Sequence, residues 1–369
     1  MPAAAVPSPH GGARPSARLF VKSFPKAAAL CLLLIALAEM AVRLIPVERL
    51  IWRGTTNTSV HTDTGQAAAM AMIDIRGSAD VALVGSSMMR EAVNVPRMAD
   101  SLRKQAKRRL SVGDYSVRGA RAEEISQITH ELLASKRLPK LLMVGLSLRD
   151  LQTDHRRLSA LSQYWTLRDW TQAARAESFA AVRPCFSTAI YNTLARHCRL
   201  LRFRETLREL VLHPRTLAPA DTNPITGHPG QNLRSYVADG QVTVKALRKQ
   251  LAKEYKTNDL HPDQRAIAAL EHLLIEARAR SPGTKVVLFE LPIPTVTRKA
   301  LPKAEYNEFL QLSRELASAH HVPFLTLADF QALSFKPKDG YFLDSQHMNH
   351  YGNTRFADTL ATIAAQQLK

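Results

Sequence analysis

The stretch Asp80-Val81-Ala82-Leu83-Val84-Gly85-Ser86-Ser87 decides the fold. An apolar run opened by an acid and closed by glycine reads as a short strand buried on both faces, as in parallel sheets. Downstream, a basic amphipathic helix is expected over 96–109, a strand over 111–116 closed by Gly119, and a helix over 123–134. Residues 140–146 are a third buried run, 285–291 a fourth ended by Pro292, and 322–327 a fifth. Helical spacing occupies 262–280, 306–319 and 354–368. Strands alternating with helices predict an α/β three-layer sandwich around a mostly parallel sheet. In such sheets chemistry gathers at the carboxyl ends of the strands. The segments 85–87, 116–119, 145–147 and 292–294 are therefore expected to face one crevice.

Residues 151–262 interrupt the alternation. They carry Trp165, Trp170, many arginines and a Pro/Gly/Asn-rich stretch at 214–230, and read as an insertion or helical cap. The domain expected over 76–369 thus contains an insertion at about 151–262. Before it, residues 1–26 form an acid-free basic tail, 27–46 an apolar segment, and 47–75 a polar linker. The uncharged core, 27–38, is shorter than the ~20 residues of a full span. Extension from Leu19 to Ile45 reaches that length, with Lys22 and Arg43 snorkelling from the ends. A transmembrane signal anchor is favoured over a cleaved signal peptide with Ala36-Leu37-Ala38 as its site. Both give one topology, with the tail cytoplasmic and the domain periplasmic or extracytoplasmic.

The chain has 369 residues and a net charge of +18, and few of its basic residues precede the apolar segment. A basic body suits an anionic membrane or a polyanionic glycan. No zinc-finger spacing or RNA-binding signature accompanies it, which argues against nucleic acid. Cys31 lies in the apolar segment, and Cys185 and Cys198 are expected either as a disulfide or as two buried thiols. No Cys- or His-rich spacing suggests a metal, and no cofactor is expected.

Two segments carry chemistry. Gly85-Ser86-Ser87 follows the first strand, and Asp344-Ser345-Gln346-His347-Met348-Asn349-His350-Tyr351-Gly352 precedes the last helix. A serine hydroxyl needs a base, and the base needs an orienting group. An Asp three residues before a His can reach the imidazole and fix its tautomer. The candidates are Ser87, His347 and Asp344, with Ser86 as the alternative nucleophile if the turn is shifted by one. Asn349 is expected to hold the final loop, and Arg149 and Asp150 either to line the crevice or, the favoured reading, to form an exposed ion pair.

These blocks resemble those of the SGNH (GDSL-like) hydrolase superfamily. That family opens with a Gly-Asp-Ser-like block and closes with Asp-x-x-His-x-Asn-x-x-Gly, which residues 344–352 fit at each defining position. The resemblance covers 80–150 and 284–368. It implies a flavodoxin-like sandwich, Ser87 as nucleophile, His347 as base and Asp344 as its partner. It also implies an oxyanion hole from Ser87, Gly119 and a third donor. Gly119 reads equally as a simple turn glycine. Where the family places Gly-x-Asn-Asp, this chain has Gly145-Leu146-Ser147-Leu148, so Ser147 supplies a weaker donor or the role is lost. The anchor and the Gly-Ser-Ser variant look most like the membrane-bound branch that includes the teichoic acid D-alanine transfer protein. Alginate O-acetylation proteins are more distant. The implied function is a serine esterase or O-acyltransferase acting on envelope or exported polysaccharide, with a multi-span membrane acyltransferase as a possible partner. The competing expectation is a non-catalytic scaffold that binds envelope polymer.

Overall fold

The computed structural model describes residues 17–44, 78–117, 119–152, 165–176, 179–202 and 261–369. The expected linker at 47–75 and most of the expected insertion, including 214–230, lie outside the described residues. Helix α1 is Ala17–Leu44. The domain then runs β1 (Val81–Val84), α2 (Ser87–Ala92), α3 (Val95–Ala106), β2 (Val112–Asp114), α4 (Ala122–Leu133) and β3 (Leu141–Leu146). Short helices α5 (Leu167–Ala176), α6 (Phe179–Val182), α7 (Phe186–His197) and α8 (Arg199–Arg202) follow. The chain returns through α9 (Gln264–Arg280), β4 (Lys285–Glu290), α10 (Thr295–Ala300) and α11 (Lys303–Ala319). It finishes with β5 (Phe324–Leu325), α12 (Leu327–Ala332) and α13 (His350–Gln367).

The five strands are parallel throughout, in the order β2-β1-β3-β4-β5. The order reverses between β1 and β3, the flavodoxin-like switch point where ligands of such sheets bind. Right-handed crossovers put the β1-to-β2 helix on one face and the later crossover helices on the other. Accordingly α3 packs on α13, and α4 packs on α9. Every residue of β1 and β3 is buried, as their continuous apolar runs predict. Phe289 of β4, Phe330 of α12 and Phe356 of α13 form one aromatic cluster. Each such ring contributes roughly 1.5–3 kcal/mol by leaving water.

Charge anchors the opposite edge. Asp80, at the amino end of β1, accepts from the Ser111 N–H and hydroxyl and pairs with Arg137 and Lys140. Burial alone would raise its pKa, but these donors outweigh burial and hold it far below the carboxylate range.

Three expectations shift. The fifth strand is only two residues long, because Thr326 and Asp329 form a capping box that starts α12. The last helix starts at His350 rather than 354, capped by Asn349. Of the expected span at 27–46, residues 27–44 lie in the longer helix α1 and 45–46 lie outside the described residues; among the described residues no helix is long and apolar enough to cross a membrane. In α1, Leu30, Leu32, Leu33, Leu34, Ile35, Leu37 and Met40 are all more than half exposed.

The described part of the expected insertion is helical and has a small core of Trp165, Val182 and Cys185. The Trp170 indole N–H donates to the Val182 carbonyl at 2.8 Å. All three cysteines are free. Cys198 donates instead to Glu39 of α1, which also accepts the N–H groups of Arg199 and Leu200 at 2.9 and 2.7 Å.

Candidate active site

The turn after β1 presents one of the two adjacent serines. Gly85 lets that turn form, since a Cβ there would lie 2.5 Å from the Met89 Cβ and 3.0 Å from the Gly145 carbonyl. Ser86 then sits in extended conformation as the N-cap of α2, buried at 4% exposure. Ser87 opens α2, part-exposed, with its Oγ 3.2 Å from His347 Nε2. The one-residue ambiguity thus resolves geometrically: Ser87, not Ser86, reaches the imidazole.

His347 comes from a tight loop. Phe342 and Met348 form an antiparallel bridge, and the Leu343 N–H donates to the His347 carbonyl at 2.8 Å. Within the loop, Asp344 Oδ1 accepts the N–H groups of Gln346 and His347 at 2.8 and 2.7 Å. Its Oδ2 lies 2.8 Å from His347 Nδ1. With Nδ1 donating to the carboxylate, Nε2 is left as an acceptor for the Ser87 hydroxyl. Two contacts steady the loop from outside: the Thr297 hydroxyl donates to the Ser345 carbonyl at 2.8 Å, and Arg149 donates to the Gln346 side chain at 3.2 Å. Asn349 is fully buried. Its carbonyl oxygen accepts from the N–H groups of Tyr351 and Gly352, and its amide donates to Gly340.

The electrostatics favour a basic imidazole. Burial pulls the His347 pKa down, but the Asp344 hydrogen bond outweighs it. Glu91 and the Asp344 charge add to the rise and Arg149 opposes it, leaving the pKa above its ordinary value. Burial likewise pushes Asp344 up, and its hydrogen bonds from His347 win, leaving it below the ordinary value.

The oxyanion side departs from expectation. Gly119 sits in the turn after β2 with φ of 75°, a left-handed conformation suited to glycine. Ser147 is different. Its N–H and hydroxyl both donate to Asp150 Oδ2, at 2.8 and 2.9 Å. The hydroxyl hydrogen expected at the oxyanion is already engaged. Asp150 is itself 1% exposed, not half of an exposed ion pair with Arg149. It caps the 3₁₀ turn Leu148–Leu151 through Ser147, and burial pushes its pKa up despite those bonds. Sequence reasoning missed this pair, although the Ser-x-x-Asp spacing is a capping-box signal.

No protein-family model matches the chain, and no curated protein does. Among solved structures, the chain is similar to a lipase/acylhydrolase from Enterococcus faecalis at 12% identity and a TM-score of 0.36. That likeness spans 78% of this chain and 96% of the other. It is similar also to a GDSL-like lipase from Parabacteroides merdae at 13% identity and a TM-score of 0.37, over 80% of this chain and all of that one.

Proposed function

We propose that the protein is a serine-dependent acyl-ester hydrolase or O-acyltransferase of the SGNH kind. The observation that carries this reading is the continuous relay from Ser87 Oγ through His347 to Asp344, at 3.2 and 2.8 Å. Neutral His347 takes the Ser87 proton as Oγ attacks the ester carbonyl. The tetrahedral oxyanion is held by the backbone N–H groups of Ser87 and Gly119. Imidazolium His347, stabilised by Asp344, returns the proton to the leaving alcohol as the C–O bond breaks. The acyl-Ser87 ester then passes its acyl group to water or to a sugar hydroxyl, with His347 again as base. With Ser147 engaged by Asp150, two donors serve the oxyanion where relatives use three. Losing one donor costs ~10²–10³ in rate, which suits a slow, substrate-restricted enzyme. The relay's intact separations weigh against the scaffold reading.

The acceptor in this reading is an envelope or exported polysaccharide, met by a domain held at the membrane through α1 with its N-terminus cytoplasmic. The exposed apolar side chains of α1 and the excess of basic residues support it. A transferase of the membrane-bound acylation branch would draw its acyl group from a multi-span membrane partner. The test is labelling of the full-length, detergent-solubilised protein with a fluorophosphonate probe, beside turnover of a p-nitrophenyl ester. Wild type should react and Ser87→Ala should not. Equal reaction of both would exclude Ser87 as the nucleophile.

A further inference from the structure

Helix α7 is built inside out. Its inward face carries Ala189 and Ala195, both buried. Polar groups pin that face to the chain at the start of α5: the Thr193 hydroxyl accepts the Leu167 N–H at 2.8 Å, and the Asn192 amide donates to the Trp165 carbonyl at 3.1 Å. A surface helix of a globular protein turns its large apolar side chains towards the core. Here Phe186, Ile190 and Leu194, spaced four apart on one face, are all more than a third exposed. Phe179 of α6 extends the stripe and is more exposed still. The Trp170 ring bridges the two elements, 5.8 Å from Phe179 and 4.8 Å from Phe186. Outside α1, the other exposed large apolar residues described, Leu138, Ile275 and Tyr351, lie in separate elements. Single residues of that kind are ordinary on a surface, whereas a contiguous run marks an interface.

We propose that this stripe docks on an anionic lipid surface, with Phe179, Phe186, Ile190 and Leu194 entering the boundary between headgroups and acyl chains. Charge selects the occupant. Residues 179–202 contain Arg183, Arg196, Arg199 and Arg202 and no acid. Arg183, just before the stripe, and His197, three positions after Leu194, are both exposed. Large apolar and aromatic side chains on one face of an acid-free, arginine-bearing helix are the composition of helices that lie in a lipid interface. Arg183 is placed to meet lipid phosphates. Continuity supports the same occupant. The Leu194 carbonyl accepts the Cys198 N–H at 3.0 Å, and the Cys198 thiol donates to Glu39 of α1. Ile35 and Met40, on either side of Glu39 in α1, are more than half exposed. The stripe thus leads to the contact with α1, whose own apolar side chains are uncovered. The inference deepens the membrane reading of α1 and rests on it for the position of the bilayer. It gives the domain a second hold on the membrane, through the insertion.

The test places the photo-crosslinker p-benzoylphenylalanine at Ile190, at Leu194 or, as the control, at the exposed Ile275 of α9. Each full-length variant is reconstituted into vesicles of equal parts phosphatidylcholine and phosphatidylglycerol, irradiated, and read by mass spectrometry for lipid adducts. All three positions are exposed, so the substitutions leave the core intact. Adducts at 190 and 194 should exceed those at 275 by about tenfold, since the first two side chains leave water and the third does not. Vesicles of phosphatidylcholine alone should lower the yield at 190 and 194 severalfold. Equal yields at the three positions, no lipid adducts, or yields indifferent to phosphatidylglycerol overturn the proposal. Adducts from 190 or 194 to protein, whether a second copy or residues 203–260 of the same chain, would assign the stripe to that occupant and overturn it too. Extraction with alkaline carbonate separates this inference from the reading beneath it. Protein that resists carbonate but gives no lipid adducts at 190 and 194 keeps the anchor and loses the stripe. Protein that carbonate strips away, yet carries those adducts, loses the anchor and keeps the stripe.

Discussion

Two aspartates three residues from their partners do opposite work. Asp344 precedes His347 by three positions and Asp150 follows Ser147 by three, and each carboxylate gathers both a backbone N–H and a side-chain group of its partner. Around Asp344 the loop is exposed and the partner titrates. The carboxylate stays ionised, and its charge lifts His347. Around Asp150 the site is closed. Burial pushes the carboxyl up, and the pair engages both the N–H and the hydroxyl of Ser147. The same local geometry aims an imidazole at Ser87 where solvent reaches it and forms a structural clamp where solvent does not.

The comparison can be broken at several points. Ser87→Ala should remove ester turnover, by ~10⁴-fold or more. Asp344→Asn keeps the loop's shape but stabilises the wrong imidazole tautomer, so kcat should fall by ~10³–10⁴ with little change in melting temperature. Asp150→Ala should do the reverse. It strands the Ser147 N–H and hydroxyl in the interior at about 2–4 kcal/mol, read as a melting temperature lower by roughly 5–15 °C. An Asp344→Asn variant that melts early while Asp150→Ala does not would invert the assignment.

Acid should silence ester turnover at a pH above that expected for an ordinary histidine. Only neutral His347 can accept the Ser87 proton, and its pKa is raised, so kcat/KM should rise with pH through a midpoint above the ordinary ~6.5. Glu91→Gln removes one of the charges that raise it, and the midpoint should move down by a few tenths of a unit. A midpoint unmoved or moved upward would remove Glu91 from that account. The smallest effect is expected from Ser147→Ala, whose hydroxyl already serves Asp150: kcat should fall less than about tenfold. A hundredfold fall in kcat at constant KM, the signature of a lost oxyanion donor, would reinstate Ser147.

The fold was readable because fully buried parallel strands have an unmistakable pattern. Val81–Val84, Leu141–Leu146 and Lys285–Glu290 each match their apolar runs to within a residue or two. Weaker signals misled where local capping competes with extended structure. Residues 322–327 were expected as a strand, yet Thr326 forms a capping box with Asp329 and opens a helix. Asn349 was read as a loop residue and is also the cap that lengthens α13. At the candidate site, Asp344 and His347 were legible because three residues suffice to bring them together.

By itself, then, the sequence determined the layered α/β architecture, the two chemical blocks and the short-range Asp344–His347 pair. Those follow from periodicity and from spacings of a few residues, which act before the chain has folded. Tertiary structure alone decided the rest. It chose Ser87 over Ser86, because only helix packing settles which hydroxyl faces the His347 loop 260 positions away. It buried Asp150 and so engaged Ser147. It also gathered Gln152, Glu290 and Tyr306, from three separate elements, around one cavity. Burial and long-range juxtaposition are properties of the packed core, and no local pattern encodes them.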